Sequence, residues 1–425
     1  MKRFLFLAGM LLPFLQLYSQ TAQAPLGIGQ PVPSVPLAPL INFSGKQTNL
    51  TSFKGKLLIL DFWTTNCSSC IASLPKLDSL QKQFGNIQII SVTRENTATV
   101  RKFFHRRPNL PAVPILAEDT LLQRLFPHAA IPHVVWIDTA GIISAITYSE
   151  YLTPENILAA IAGRFERLPI KQDNIIYDYK AAFLKPALPL ADKAPLYYST
   201  ITGYAPGLVM MSGIHKDSTA GTVRRYATNW SVVDLYLMAY GKLINFPRNR
   251  VMLEVAAPVK YRHTPKDGYF YDWQHLYGHC YELRCPLATS KEQLQRYMVM
   301  DLNRYLNING RLEKRQVSCL LLKAASLRAI PASKGGVPEI KTGSDGSLIY
   351  TRNTTIAALL YHLNNMVGIP PIVDKTGISS NIDLSLNMHY GDLPALRKAL
   401  LANGFVLEEQ VQEIELLVIT ENSAS

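Results

Sequence analysis

Apolar residues in this chain fall alternately into short unbroken runs and into helical spacing. Lys56 to Phe62 (Lys-Leu-Leu-Ile-Leu-Asp-Phe) is a continuous apolar run of strand length, as expected for a strand buried on both faces. Leu74, Leu77, Leu80 and Phe84 then recur at helical spacing, with Gly85 placed to cap the helix. Ile87 to Val92 predicts a second buried strand, Val100 to Arg106 a helix, Ala112 to Leu116 an extended segment and Thr120 to Phe126 another helix. Pro132 to Asp138 predicts a strand that turns at Thr139-Ala140-Gly141 into Ile142 to Tyr148, and a helix over Pro154 to Phe165 closes the unit. A Pro-rich lead, Pro25 to Pro39, reads as extended, and Asn42 to Lys46 as a turn. Alternating strands and helices over residues 25–165 predict an α/β sandwich with a central sheet.

The rhythm then stops. Residues 166–195, with Pro169, Pro186, Pro189 and Pro195 among mixed polar residues, read as a linker. Residues 196–425 follow an α+β pattern of helix–strand units. Amphipathic helices are predicted over Val232–Tyr240, Lys291–Leu306, Thr355–Val367 and Leu393–Asn403. Strands are predicted over Val251 to Val255, Gln316 to Leu322 and Glu413 to Thr420, and Pro370-Pro371-Ile372-Val373 leads on to Ile382 to Leu386. A reused unit and a coincidence of composition both fit this succession.

Composition narrows the function classes. A chain of 425 residues suits two domains, and 48% hydrophobic with 17% charged residues suits folded ones. The net charge of +12 is scattered rather than gathered into a stripe, so nucleic acid is not an expected partner. Residues 1–20 read as a signal peptide: Lys2 and Arg3 precede a nearly unbroken apolar run, Phe4 to Leu17, which is shorter than the ~20 residues of a spanning helix. An uncleaved anchor is the alternative. The expected location is the periplasm, where thiols are paired or catalytic, and the five cysteines leave at least one unpaired in an oxidised monomer.

The chemistry concentrates in Asp61-Phe62-Trp63-Thr64-Thr65-Asn66-Cys67-Ser68-Ser69-Cys70, which follows a buried strand and opens a helix. A thiol at a helix N-terminus meets unpaired N–H groups and the positive end of the dipole, which favour its thiolate. A second thiol one turn deeper can resolve a mixed disulfide. Half of a zinc site and a structural disulfide are the alternatives for a bare Cys-x-x-Cys. No second pair has zinc-ligand spacing, so neither a metal nor a cofactor is expected.

Over about residues 27–165 the chain resembles the TlpA/ResA-like proteins of the thioredoxin superfamily. The matching segments are Leu26 to Pro33, Ser44-Gly45-Lys46, Leu50 to Lys56, the Trp63 and Cys67/Cys70 core, Pro75, and Ile131-Pro132 before Val134 to Asp138. The resemblance implies a thioredoxin-like sandwich and a dithiol exchanging disulfides with protein cysteines, more in keeping with a reductase; a non-catalytic envelope binding or sensory protein that uses the thioredoxin fold as a scaffold is the alternative. It implies that Cys67, Cys70 and Asp61 are catalytic, and that Trp63, Ile131 and a cis Pro132 line the substrate site. It also implies an upstream periplasmic or membrane electron donor. Asp61 would take the proton of Cys70; a hydrogen-bonded strand residue is the alternative. Ser68-Ser69 between the cysteines, and Asn66 before them, depart from the family's usual residues. A peroxiredoxin motif would need proline where Leu60 stands. His133 reads as an ordinary strand histidine, with a position facing the dithiol as the alternative.

From about residue 195 the chain resembles uncharacterised domains of exported bacterial proteins, through Trp230 to Leu235, Asp301 to Tyr305 and Val373-Asp374-Lys375-Thr376-Gly377-Ile378. That resemblance implies kinship of fold, with an envelope protein as the expected partner. Cys280 and Cys285 read as parts of one strand, about 16 Å apart against the roughly 6 Å of a bridge. Cys319 is therefore the expected disulfide partner, with Cys280 preferred.

Overall fold

The computed structural model describes residues 24–38, 40–45, 49–107, 110, 113–183, 197–325, 330, 332–342, 347–366, 368–389 and 391–422. The expected signal peptide, Lys46, Pro39, Val367 and the linker prolines Pro186, Pro189 and Pro195 lie outside these residues.

The N-terminal elements run β1 (Leu57–Phe62), α1 (Ser68–Gln83), β2 (Ile87–Val92), α2 (Thr97–His105), β3 (Ile115–Leu116), α3 (Leu121–Leu125), β4 (His133–Ile137), β5 (Ile143–Thr147) and α4 (Pro154–Ile161). Five strands form one sheet in the order β3-β2-β1-β4-β5, with β1 parallel to β2 and antiparallel to β4. All six residues of β1 are buried, because the sheet is covered on both faces. Leu57 and Ile59 meet α1, α2 and α4 through Leu74, Leu77, Phe103 and Ile157. Leu58, Leu60 and Phe62 meet α3 and the extended lead through Leu122, Leu125, Val32 and Val35.

Three helix ends of this unit differ from expectation, the first being the start of α2, which Asn96 caps so that the helix begins at Thr97 rather than Val100. Gly85 is not the left-handed cap of α1; the Phe84 N–H closes the last turn onto the Leu80 carbonyl, and Phe84 leaves in an extended conformation. The last helix stops at Ile161 rather than Phe165, because Gly163 turns left-handed (φ 74°) and its N–H bonds Ala160.

The expected linker is packed where it is described. Leu168 joins the N-terminal core. The Lys171 N–H donates to the Ile146 carbonyl at the edge of β5 (2.8 Å). Further on, Arg224 bonds the Tyr179 carbonyl, and the Phe183 N–H meets the buried carboxylate of Glu282 (3.1 Å), which also pairs with Arg224 (2.5 Å).

The second unit runs β6 (Tyr198–Thr202), β7 (Met211–Asp217), β8 (Thr222–Trp230), α5 (Val232–Ala239), β9 (Val251–Glu254), α6 (Phe270–Tyr277), β10 (His279–Pro286), α7 (Lys291–Leu306), β11 (Ile308–Ala324), β12 (Glu339–Thr342), β13 (Leu348–Thr354), α8 (Ile356–Asn364), β14 (Ile372–Asp374), β15 (Ile382–Met388), α9 (Leu393–Ala402) and β16 (Phe405–Glu421). The four expected helices are present, and each is followed by a strand. Among the described residues three further sheets form: β6-β10-β8-β7, β14-β11-β16-β9 and β12-β13-β15. β11 and β16 are much longer than their apolar runs, 17 residues each, and pair antiparallel along their whole length. One end of this ribbon packs Ile308, Leu417 and Ile419 against α5 and α7, and the other packs Leu320, Leu322, Phe405 and Leu407 against α8 and α9.

The expected Cys280–Cys319 bridge is absent. Cys280, Cys285 and Cys319 are buried free thiols. Cys280 lies on β10, where its thiol donates to Asn229 Oδ1 (3.3 Å), whereas Cys319 lies on β11 in another sheet among Ile414, Leu416 and Val418. Iodoacetamide added to denatured, unreduced protein should label these three cysteines and spare Cys67 and Cys70. A peptide map with Cys280 protected would restore the bridge.

A second expectation follows from β11. A Cβ at Gly310 would stand 2.3 Å from the ring of Tyr236, which is buried and hydrogen-bonded to Asn303 (2.6 Å). Gly310→Ala should destabilise the protein by about 2 kcal/mol. Urea unfolding with an unchanged midpoint would show that the Tyr236 ring gives way freely.

Candidate redox site

The site is built where β1 ends and α1 begins. Trp63 N–H bonds the Val92 carbonyl (3.0 Å), so the chain leaves the sheet in register with β2. Glu95 then pins the next turn: its carboxylate accepts the Thr65 N–H (2.7 Å) and the Thr65 hydroxyl (2.6 Å). Cys67 follows as the N-cap of α1, its sulfur accepting the Cys70 N–H (3.2 Å) and lying 3.4 Å from the Ser69 hydroxyl.

Cys67 is part-buried and Cys70 fully buried, and a disulfide joins them with their Cα atoms 5.3 Å apart. The outer sulfur therefore sits at the positive end of a helix of 16 residues, with the inner one beneath it. Pro75 lies inside this helix, and the Ile131–Pro132 peptide is cis, as expected. Pro132 is buried and Ile131 half-buried.

Asp61 lies between Ser91 of β2 and Val134 of β4, and by strand alternation it faces the α1 side with Leu57 and Ile59. Neither of its carboxyl oxygens has a hydrogen-bond partner, so the hydrogen-bonded strand residue is not what forms. Burial pushes its pKa from 3.8 up to about 7, against the opposing pull of the Lys76 charge. A carboxyl poised there can accept a proton near neutral pH.

Trp63 is not a substrate contact. It is 1% exposed, packed edge-on against Phe103 and Phe104 with ring centroids 5.6 and 6.1 Å away. Its indole supports α1 and α2 from inside, because the residue after β1 continues the inward-facing positions of the strand. His133 lies on the opposite face of the sheet from Asp61, against Phe62 and stacked on His128 (4.5 Å). Burial pushes its pKa down to about 4, so it is neutral at physiological pH. The ion pair beside it is Lys171 with Asp173, and the Lys171 ammonium also donates to the Ala130 carbonyl (2.9 Å), next to the cis-proline. Among the described residues no cluster of His, Cys, Asp and Glu could hold a metal ion.

The AhpC/TSA family model matches residues 28–146. Thioredoxin-like protein YneN of Bacillus subtilis (strain 168) is 28% identical over 152 residues, covering 33% of this chain and 87% of YneN. The N-terminal domain is thioredoxin-like. Among solved structures, the chain is similar to the thioredoxin domain of a thiol-disulfide oxidoreductase from Bacteroides vulgatus (22% identity, TM-score 0.26, covering 32% of this chain and 97% of that one). It is also similar to a putative thiol:disulfide interchange protein DsbE from Chlorobium tepidum (21% identity, TM-score 0.27, covering 32% of this chain and 97% of that one).

Sequence reasoning did not find Glu95, Lys76 or the Lys171–Asp173 pair around this thioredoxin-like site. Each acts across the fold on residues distant in the chain, and none belongs to a local motif.

The raised pKa of Asp61 has a consequence for stability. The folded protein holds this proton more tightly than the unfolded chain does, so folding stability falls as pH rises from about 4 to about 7. Asp61→Asn should remove that loss and stabilise the protein by up to about 4 kcal/mol at pH above 7, with little gain near pH 4. Urea unfolding of the oxidised forms across that range checks this, and a gain that does not grow with pH would rule out a buried, unpartnered carboxylate.

Proposed function

We propose that the protein is an exported thiol–disulfide oxidoreductase that reduces disulfides of protein clients through Cys67 and Cys70. The observation that carries this reading is the half-buried Cys67 at the N-terminus of α1, bonded to a fully buried Cys70, with an unpartnered carboxyl on the same side of the sheet. In the reduced protein the Cys67 thiolate attacks a client disulfide, forming a mixed disulfide and expelling one client thiolate. Asp61 takes the proton of the Cys70 thiol. The Cys70 thiolate then attacks the Cys67 sulfur, which reforms the Cys67–Cys70 bond and releases the second client thiolate. The client gains two electrons and, from solvent, two protons. An external dithiol donor of the envelope restores the reduced pair.

Ile131, just before the cis-proline and half-buried, offers its backbone to an extended client segment. The basic start and apolar run of residues 2–17 support export to the periplasm. Among the described residues no helix is long and apolar enough to cross a membrane. The α+β unit is the candidate surface for an envelope partner.

Insulin reduction by wild-type protein with dithiothreitol as donor tests the enzyme reading. Cys67→Ser should abolish the protein's contribution, and Cys70→Ser should accumulate covalent complexes released by reductant. Turnover by Cys67→Ser equal to wild type would defeat the proposal and leave the thioredoxin-like domain as a scaffold.

A further inference from the structure

One short turn touches both the neighbourhood of Asp61 and the second unit. The turn is Ser149–Tyr151, after β5. From the N-terminal side, the Lys76 ammonium on α1 donates to the Ser149 carbonyl (3.2 Å) and the Glu150 carbonyl (3.3 Å). From the other side, the Glu150 carboxylate accepts the Phe270 and Tyr271 N–H groups at the start of α6, both at 3.0 Å. The Tyr151 hydroxyl donates to Asp272 (2.6 Å), and Tyr148 stacks on Tyr271 with ring centroids 3.4 Å apart.

The charges facing each group are few. Asp61 has Ser91 on β2 and Val134 on β4 as its strand partners, and its facing cation, Lys76, comes from α1. Lys76 faces Glu150 and Asp61. Glu150 faces Asp272, His263 and the α6 N–H groups. Lys76 is half-buried and tethered by two carbonyls, so its position depends on the turn that carries them. That turn is in turn held by α6.

We propose that α6 of the second unit tunes the redox site, by clamping the Ser149–Tyr151 turn that tethers the Lys76 ammonium of α1, the helix covering the sheet face toward which Asp61 points. Lys76, Glu150 and Tyr271 are thus positioning residues. With the clamp closed, Asp61 gives up its proton more readily and is the readier base toward Cys70. With the clamp open, Lys76 is free to reach solvent, and Asp61 stays protonated to higher pH. A partner that binds the second unit and moves α6 would alter the proton affinity of Asp61 without touching the cysteines. The consequence for turnover rests on the oxidoreductase reading, but the coupling itself does not.

The experiment follows Asp61 directly. Carbon-13 carboxyl resonances of aspartate are recorded against pH on the oxidised full-length chain, with Asp61→Asn identifying the signal. Lys76→Met should raise the Asp61 midpoint by about half a pH unit or more, and Lys76→Arg should keep it near wild type. A clamp variant, Tyr271→Ala with Asp272→Asn, should shift the midpoint in the same direction as Lys76→Met, and adding it to Lys76→Met should produce no further shift. An Asp61 midpoint unmoved by the clamp variant, or shifts that add in full, would overturn the proposal, as would a midpoint unmoved by Lys76→Met. Unfolding of the clamp variant is replaced by Glu150→Gln with Tyr151→Phe, read in the same way. Because the titration needs no turnover, a protein inactive on insulin that still shows these shifts would refute the enzyme reading and keep the coupling.

Discussion

Both oxygens of the Asp61 carboxyl lie in the protein core with no hydrogen bond to either. An ionised carboxylate in such a place is strongly disfavoured, and the usual remedies are a hydrogen-bond donor or protonation. The sheet supplies no donor, because the N–H groups of β1, β2 and β4 are engaged in their ladders. What remains is one lysine acting at a distance and the choice of protonation state. The Asp61 carboxyl is thereby held near the pH at which it can change charge. On the proposed reading the cysteine pair would supply the redox chemistry, and the fold around β1 would set when its proton moves.

That dependence explains why so much of the surrounding structure concerns fixing loops rather than contacting sulfur. Glu95 holds the turn before Cys67 through two hydrogen bonds. Lys171 holds the segment before the cis-proline through the Ala130 carbonyl. Trp63 fills the space behind α1 and α2 instead of opening toward solvent. Glu95 and Lys171 thus act on backbone beside the cysteine pair and the cis-proline, while Trp63 packs on the Phe103 and Phe104 rings of α2, so each constrains geometry.

How much of this was legible depends on the range over which the information is written. β1, α1, β2 and β4 follow from local periodicity, the Cys67–Cys70 pair from its spacing at the start of a helix, and Asp61 and Pro132 from a resemblance carried by local motifs. Trp63 was misplaced because its role was taken from the resemblance, whereas continuing the alternation of Leu57 and Ile59 past the end of β1 points it into the core. Lys76 meets its partners 73 and 74 residues away, and Glu150 meets α6 across 120 residues, so only the completed fold brings them together. In the second unit, β8 escaped notice because Arg224, Arg225, Thr228 and Asn229 are buried within it and interrupt any apolar run. Arg224 is tolerated there because Glu282 on the neighbouring strand meets its charge. The helix α6 escaped for a different reason: its eight residues are mostly aromatic and polar, without an aliphatic stripe to mark the period.

Among the described residues the two units are joined at two places rather than one, and the difference matters physically. A single covalent tether leaves relative motion as the default expectation. Here the segment after α4 runs along the edge of β5, buries Lys171 and Asp173 beside the cis-proline, and then passes to the Arg224–Glu282 pair of the second unit. Separately, α6 grips the turn that follows β5. Both attachments flank β5, one along its edge and one at its end, on the side of the domain where the cis-proline lies. Two attachments at separate points resist rotation as well as separation, so a disturbance of either is felt where the cis-proline and Lys76 are set. The second unit is therefore placed to act on the redox site through backbone and charge, with no need to reach the cysteines themselves.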